Sequence, residues 1–318
     1  MGCCSTKLYP YENWMEELPP DVRDYSVINL AIPGSHNCMS YGINWSSKPS
    51  LDADEEIKDI FKFLPCFVRK WSKTQSVDIT EQLKLGIRYL DLRISLKDNT
   101  KFYFAHGLYA MEIFQPLKEV CSFLDEHPKE IIILDFQHFY GFEVAHHKQL
   151  QYDIQRIFSD KIYAPQDGSL SNATLKNCEN KGKQVIIIYR RCKNRSEKFW
   201  ADDNWPTPWP NTTSIKQLKN YLNNMLKYRN PRYGYVSQCI LTPDGKYIAK
   251  KFYSSLKGTA EKVDKKMSDW IEEQRPGKCT CDSEPKVNVF IADFVHIYNG
   301  DFCKKIIELN NKIVDPEN

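Results

Sequence analysis

The hydrophobic residues of this chain fall into short unbroken runs separated by longer stretches of helical period. Ile131-Ile132-Ile133-Leu134 and Val185-Ile186-Ile187-Ile188 carry no polar alternation. Strands read this way when both faces are covered, as in parallel sheets flanked by helices. The pattern predicts strands over 27–32, 87–94, 102–105, 130–136, 184–189, 233–241 and 287–293. It predicts helices over 79–85, 115–126, 145–158, 215–228, 263–274 and 302–314, with Gly86 and His127-Pro128 as stop signals. Residues 54–71 read as an amphipathic insertion. Strand and helix alternate and end on a helix, so the class is α/β and the architecture a distorted (β/α) barrel of the TIM type. A doubly wound open sheet is the weaker alternative, because no glycine-rich phosphate loop follows the first strand.

Composition narrows this picture. The chain has 318 residues, 42% of them hydrophobic, enough for one large core. Barrels of this class often exceed 200 residues as one domain, so a barrel is expected over 24–318 and a separate segment over 1–23. No apolar run reaches the length of a membrane span, and the N-terminus lacks the charged-then-apolar pattern of a signal peptide. The net charge of +3 is too small to argue for nucleic acid, and no aromatic RNA-binding signature occurs. The 11 cysteines are scattered and read as reduced cytosolic thiols. The sequons at Asn44, Asn172, Asn194 and Asn211 are then chance matches to a short motif. Met1-Gly2-Cys3-Cys4-Ser5-Thr6 fits an N-myristoylation signal at Gly2, with two cysteines placed for palmitoylation. One acyl chain binds a membrane marginally and a second makes the anchor stable. Residues Gly2, Cys3 and Cys4 are therefore expected lipidation sites, holding a cytoplasmic protein on the inner face of a membrane.

Candidate chemistry gathers at strand ends. His36 ends an apolar run, Asp91 and Arg93 lie on the next, and His106 closes a third. One histidine can take a proton, the other can give one, and arginine can hold a charged oxygen between them. That set can break a phosphodiester without a metal. Asp293 ends a fourth run and can orient one histidine. Gln137 and Arg190 occupy further strand ends, on the face where barrel enzymes keep their chemistry. Asp135 reads as a strand-end cap, and the insertion as packing on the barrel wall. Trp205 and Trp209, beyond the strand ending at Tyr189, read as loop packing or as walls of the pocket. The aromatics of the insertion, Phe61 among them, lie beside cations, which also suits contact with lipid.

With those residues assembled, the chain resembles the phosphatidylinositol-specific phospholipase C X-domain family, closest to its compact single-domain eukaryotic members. The carriers are Ala31-Ile-Pro-Gly-Ser-His36, Gln75-Ser-Val-Asp-Ile-Thr-Glu-Gln-Leu, Gly86-Ile-Arg-Tyr-Leu-Asp91-Leu-Arg93, His106-Gly107, Pro128-Lys-Glu-Ile-Ile-Ile-Leu-Asp135-Phe and Ala292-Asp293-Phe. The resemblance runs from about residue 24 to 314 and implies a distorted TIM barrel acting on a phosphoinositide lipid. It implies His36 as general base on the inositol 2-hydroxyl, Asp293 as its orienting carboxylate, His106 as general acid and Arg93 as ligand of the phosphoryl oxygens. Asn37 matches a calcium-binding Asn of the large eukaryotic enzymes, and Asp91 could serve as one acidic ligand. Arg93 and Gln137 stand where two further carboxylates would be, so no metal cofactor is expected. Asn37, Gln137 and Arg190 become candidate substrate contacts. The bacterial enzymes place an aspartate after the first histidine to support the acid, and Asn37 has no charge for that task. A non-catalytic inositide-binding scaffold is the alternative. A glycerophosphodiesterase ranks low, since those enzymes place His-Arg at the first strand end with metal-binding carboxylates.

Overall fold

The continuous apolar runs at 131–134 and 185–188 become parallel strands whose alternate residues face two cores. The computed structural model describes residues 10–278 and 284–313; the expected lipidation sites Gly2, Cys3 and Cys4 lie outside them. Strand β1 is Ile32–Ser35, β2 Tyr89–Lys97, β3 Lys101–His106, β4 Leu108–Glu112, β5 Ile132–Tyr140, β6 Val185–Tyr189, β7 Val236–Gln238 and β8 Val289–Ala292. The parallel path runs β7-β8-β1-β2-β5-β6, while β3 and β4 form an antiparallel hairpin on the far half of β2. That order is a barrel path and not the doubly wound alternative.

Side-chain parity divides the core. Tyr89, Ile133, Ile186, Ile188, Val289 and Ile291 point into the barrel and join one apolar cluster. Leu90, Leu92, Ile132, Leu134, Ile187 and Phe290 point outward under the helices, in a second cluster with Leu117, Val120, Leu150, Leu222 and Ile306. Gly34 in β1 leaves no room for a side chain, because a Cβ there would lie 2.8 Å from Ile291 and 3.0 Å from Tyr89. β1 can therefore approach its neighbours closely enough to complete the barrel.

The barrel departs from the sequence-based expectation in several places. Residues 27–29 form a 3-10 turn and β1 starts only at Ile32. Val27 and Ile28 instead help fill the lower mouth of the barrel with Trp14, Met15 and Val22. The core thus takes in residues before the expected boundary at 24. The strand expected over 233–241 pairs only at Val236–Gln238, and β4 was not anticipated. Among the described residues no strand pairing joins β6 to β7. An irregular segment fills that seam. Trp200 bonds β6 through Ile187 and Tyr189, and Asn204 and Pro206 accept hydrogen bonds from Gly234 and Val236 beside β7. Trp205, fully buried, packs into the interior cluster and does not wall a pocket. Trp209 is half-exposed and donates to Thr242 Oγ1 at 3.0 Å.

Below the barrel, Arg88 is fully buried. Its Nε donates to Glu130 Oε2 at 2.8 Å, and its other nitrogens donate to the carbonyls of Leu83, Ile87 and Glu12. Glu130 also accepts from the backbone of Glu16 at 2.9 Å, so the pair ties the N-terminal plug to β2. Removing one partner of such a pair strands a buried charge. Glu130→Ala is expected to cost about 3–5 kcal/mol in urea unfolding, and a loss below about 1 kcal/mol would show that backbone carbonyls alone satisfy Arg88.

Candidate active site

Above the apolar interior lies a polar layer. Asp135 is fully buried, and Arg190 meets it bidentately, Nε to Oδ1 at 2.7 Å and Nη2 to Oδ2 at 2.6 Å. The Tyr89 hydroxyl donates to the same carboxylate. Burial raises the Asp135 carboxyl above its ordinary range, against the pull of Arg190. Asp135 is thus one half of an internal ion pair and not a strand cap. Arg190 is nine-tenths buried and also donates to Trp205 O at 2.5 Å and toward Asp202 O at 3.4 Å. Most of its donors are thus committed to protein acceptors in the floor of the site. Gln137 is the extra residue of a β-bulge, since β5 slips register against β2 between Leu92 and Arg93. Its amide nitrogen donates to Asp135 Oδ2 at 3.0 Å and Tyr89 OH at 3.2 Å, so it too leans into this floor.

The ends of β1, β3 and β8 and the middle of β2 converge above the floor. His36 Nδ1 donates to Asp293 Oδ1 across 2.7 Å. This fixes the tautomer: Nδ1 carries the hydrogen and Nε2 keeps its lone pair. Two donors face that lone pair, Arg93 Nη2 at 3.0 Å and Asn37 Nδ2 at 3.1 Å. Asn37 adopts a left-handed conformation, φ 42°, which asparagine tolerates better than most residues. Asp91 and Arg93 lie two apart on β2 and so share its inner face. Asp91 is buried, accepts from Arg93 Nη2 at 3.2 Å and Nε at 3.3 Å, and stands 3.8 Å from His36 Nε2. Burial would raise Asp91, but Arg93 and then His36 outweigh it and hold the carboxyl below its ordinary value.

His106 faces His36 across 6.0 Å between ring centres, at 77°. Its Nδ1 donates to the Ser72 carbonyl at 2.7 Å, leaving Nε2 as the atom that can deliver a proton. Burial, then the charges of Arg93 and His36, lower its pKa below the ordinary histidine value. His36, Asp91, Arg93, His106 and Asp293 therefore cluster at one end of the barrel, with Asn37 beside them.

Gln75 is fully buried, and its amide nitrogen donates to His36 O at 3.1 Å and Ala292 O at 3.0 Å. Its carbonyl accepts from Val295 N at 3.1 Å. One amide thus joins the strand ends that carry His36 and Asp293. Thr74 Oγ1 donates toward His36 O and Asn37 O, both at 3.1 Å. The Gln75-Ser-Val-Asp run marks this strap in the sequence, but its role passes through backbone carbonyls that the sequence does not display.

The donor set does not suit calcium. Asp91 is committed to Arg93, Asn37 presents its amide nitrogen to His36, and Gln137 is turned to Asp135. A guanidinium in the pocket would also repel a divalent cation.

The architecture and sequence both have counterparts. The PI-PLC X domain model matches residues 55–207. PI-PLC X domain-containing protein 2 of Mus musculus is 37% identical over 95% of this chain and 88% of its own length. PI-PLC X domain-containing protein 3 of Danio rerio is 34% identical over 96% and 95%. Among solved structures, the phosphatidylinositol-specific phospholipase C of Listeria monocytogenes superposes with a TM-score of 0.63 at 21% identity, covering 95% of this chain and 99% of that one. A variant of the Staphylococcus aureus enzyme gives 0.64 at 19%, covering 94% and 96%. These likenesses show a fold of the TIM-barrel type, and the full-length relatives place this chain in the PI-PLC X domain-containing protein family.

Proposed function

We propose that the pocket cleaves phosphatidylinositol-type lipids to diacylglycerol and a cyclic inositol phosphate, by base and acid histidines with arginine assistance. The observation that carries this reading is the opposition of His36, oriented by Asp293, to His106, with Arg93 against His36 Nε2. Arg93 and Asn37 face the lone pair of His36. An arriving phosphodiester draws the guanidinium onto its oxygens and frees Nε2 to take the proton of the inositol 2-hydroxyl. That oxygen attacks phosphorus, Asp293 stabilises the imidazolium, and Arg93 offsets the charge gathering on the phosphoryl oxygens. His106 Nε2 gives its proton to the departing diacylglycerol oxygen. No metal enters these steps.

The alternative, an inositide-binding protein with little turnover, draws on the lowered pKa of His106. A neutral His106 holds its one hydrogen on Nδ1, against the Ser72 carbonyl, and has none on Nε2 to give. Both readings predict binding; only the first predicts product.

Phosphatidylinositol vesicles with a calcium chelator present separate them. Wild type is expected to turn over, and His36→Ala and His106→Ala each to lose about 10²–10⁴-fold. Because the acid must be protonated, the rate is expected to fall as pH rises through the lowered His106 midpoint. Loss of activity with chelator and recovery with calcium would overturn the metal-free mechanism. Vesicle binding without turnover by wild type would favour the scaffold.

Two features support a membrane site of action, on the inner face of a cytoplasmic membrane. The first is the proposed acylation at Gly2, Cys3 and Cys4. The second is a rim of exposed aromatics on the loops that follow β1 and β7. Trp45 is 86%, Phe63 83% and Tyr253 99% exposed. Lys246, Lys250 and Lys251 lie exposed beside Tyr253, a combination suited to an anionic lipid surface. Phe67 stacks on Phe252 at 5.0 Å, joining the two loops. Phe61, by contrast, packs inward with Ile57 and Ile60 on Ile43, Val68 and Leu108, so the outward aromatic of the insertion is Phe63. In eukaryotic cells Gly2→Ala is expected to move most of the protein out of the membrane pellet, and adding Trp45→Ala and Phe63→Ala to remove most of the rest. Full pelleting of Gly2→Ala would sink the acyl anchor.

A further inference from the structure

We propose that Asp52 is a positioning residue for His106, acting on the acid through the backbone of Gly107 and through its charge. The inference rests on the phosphodiesterase reading of the pocket. The segment before the helical insertion runs antiparallel along the turn that carries His106. Tyr109 N donates to Lys48 O at 2.9 Å and Ser50 N to Gly107 O at 3.1 Å, and Pro49 bridges Leu108. The next step of this zipper is a side chain: Gly107 N donates to Asp52 Oδ2 at 2.6 Å. The other carboxylate oxygen accepts from the Ser50 hydroxyl. Gly107 turns through a left-handed conformation, φ 67°, which a side chain would resist. The half-buried carboxylate is thus anchored on the residue next to His106.

The exit of the same insertion holds the imidazole from the other side, through the Ser72 carbonyl at 2.7 Å. Residues 52 and 72 therefore grip the acid from both ends of one excursion of the chain. The groups facing His106 divide cleanly. Burial, Arg93 and His36 disfavour its proton, and the Ser72 carbonyl and Asp52 favour it. Asp91 cannot share that task, because its charge is committed to Arg93, and Asn37 has no charge. Asp52 thus reaches the acid from the turn before the insertion, and not from the position after the first histidine that Asn37 takes.

Asp52→Asn tests this while keeping an oxygen for Gly107 N. Two readouts decide. By NMR with labelled imidazoles, the His106 midpoint is expected to fall by at least about half a pH unit in the variant. In turnover, an alkyl leaving group needs the acid and a p-nitrophenyl group does not. Asp52→Asn is expected to slow the alkyl ester at least about tenfold more than the p-nitrophenyl ester of the same inositol phosphate. Equal loss on both esters, or an unmoved His106 midpoint, would overturn the proposal. If wild type cleaves neither ester, the phosphodiesterase reading fails and the midpoint still decides the role of Asp52. If Asp52→Asn does not fold, Asp52→Glu shifts the charge by one methylene and must still change the alkyl rate more than the aryl rate; an equal change overturns the proposal.

Discussion

The Asp135–Arg190 ion pair is the partition on which the site stands. Below it the barrel is filled by Ile133, Ile186, Ile188 and Ile291; above it stand His36, Asp91, Arg93 and Asp293. A buried carboxylate and guanidinium are costly to desolvate, and the cost is offset only when geometry and further hydrogen bonds are good. Here they are. Tyr89, Gln137 and the Trp205 carbonyl complete the pair. The floor is therefore rigid and electrically closed, so the charge of Arg93 above it meets Asp91 and His36 and is not spent downward.

The reacting layer is organised by a division of labour between side chains and backbone. Asp293 orients His36 by a carboxylate, whereas His106 is oriented by the carbonyl of Ser72. A carbonyl fixes the tautomer as firmly as a carboxylate but brings only a partial charge. The base is thus better supported than the acid by its hydrogen-bond partner. The strap 72–75 reaches both histidines, through Ser72 on one and Thr74 and Gln75 on the other. A displacement of this strap moves base and acid together.

Much of this was legible from sequence because strand ends announce themselves. Continuous apolar runs ending at His36, His106 and Asp293 locate three of the pocket residues, and the two-residue spacing of Asp91 and Arg93 puts both on one face of β2. A strand-end arginine reads the same whether its partner is a ligand or a carboxylate on the neighbouring strand, and Arg190 meets such a carboxylate. Asp135 was the missing partner, 55 residues distant. Ser72, Gln75 and Asp52 were illegible for a related reason. They act on residues 34, 39 and 55 positions away, through backbone atoms or from a loop. No periodicity encodes such contacts. The short β1 was misplaced because Val27 and Ile28 are as apolar as strand residues, yet fill the mouth of the barrel.

The seam between β6 and β7 carries a consequence for the barrel as a whole. In a closed barrel strand number and stagger fix the circumference. Here the ring is completed by the irregular run from Trp200 to Pro206, with Trp205 as its wedge. The girth of the ring is then set by the bulk of one indole and the length of one loop. A smaller residue at 205 would let the two edges draw together, and the mouth above them would narrow without any change in a strand.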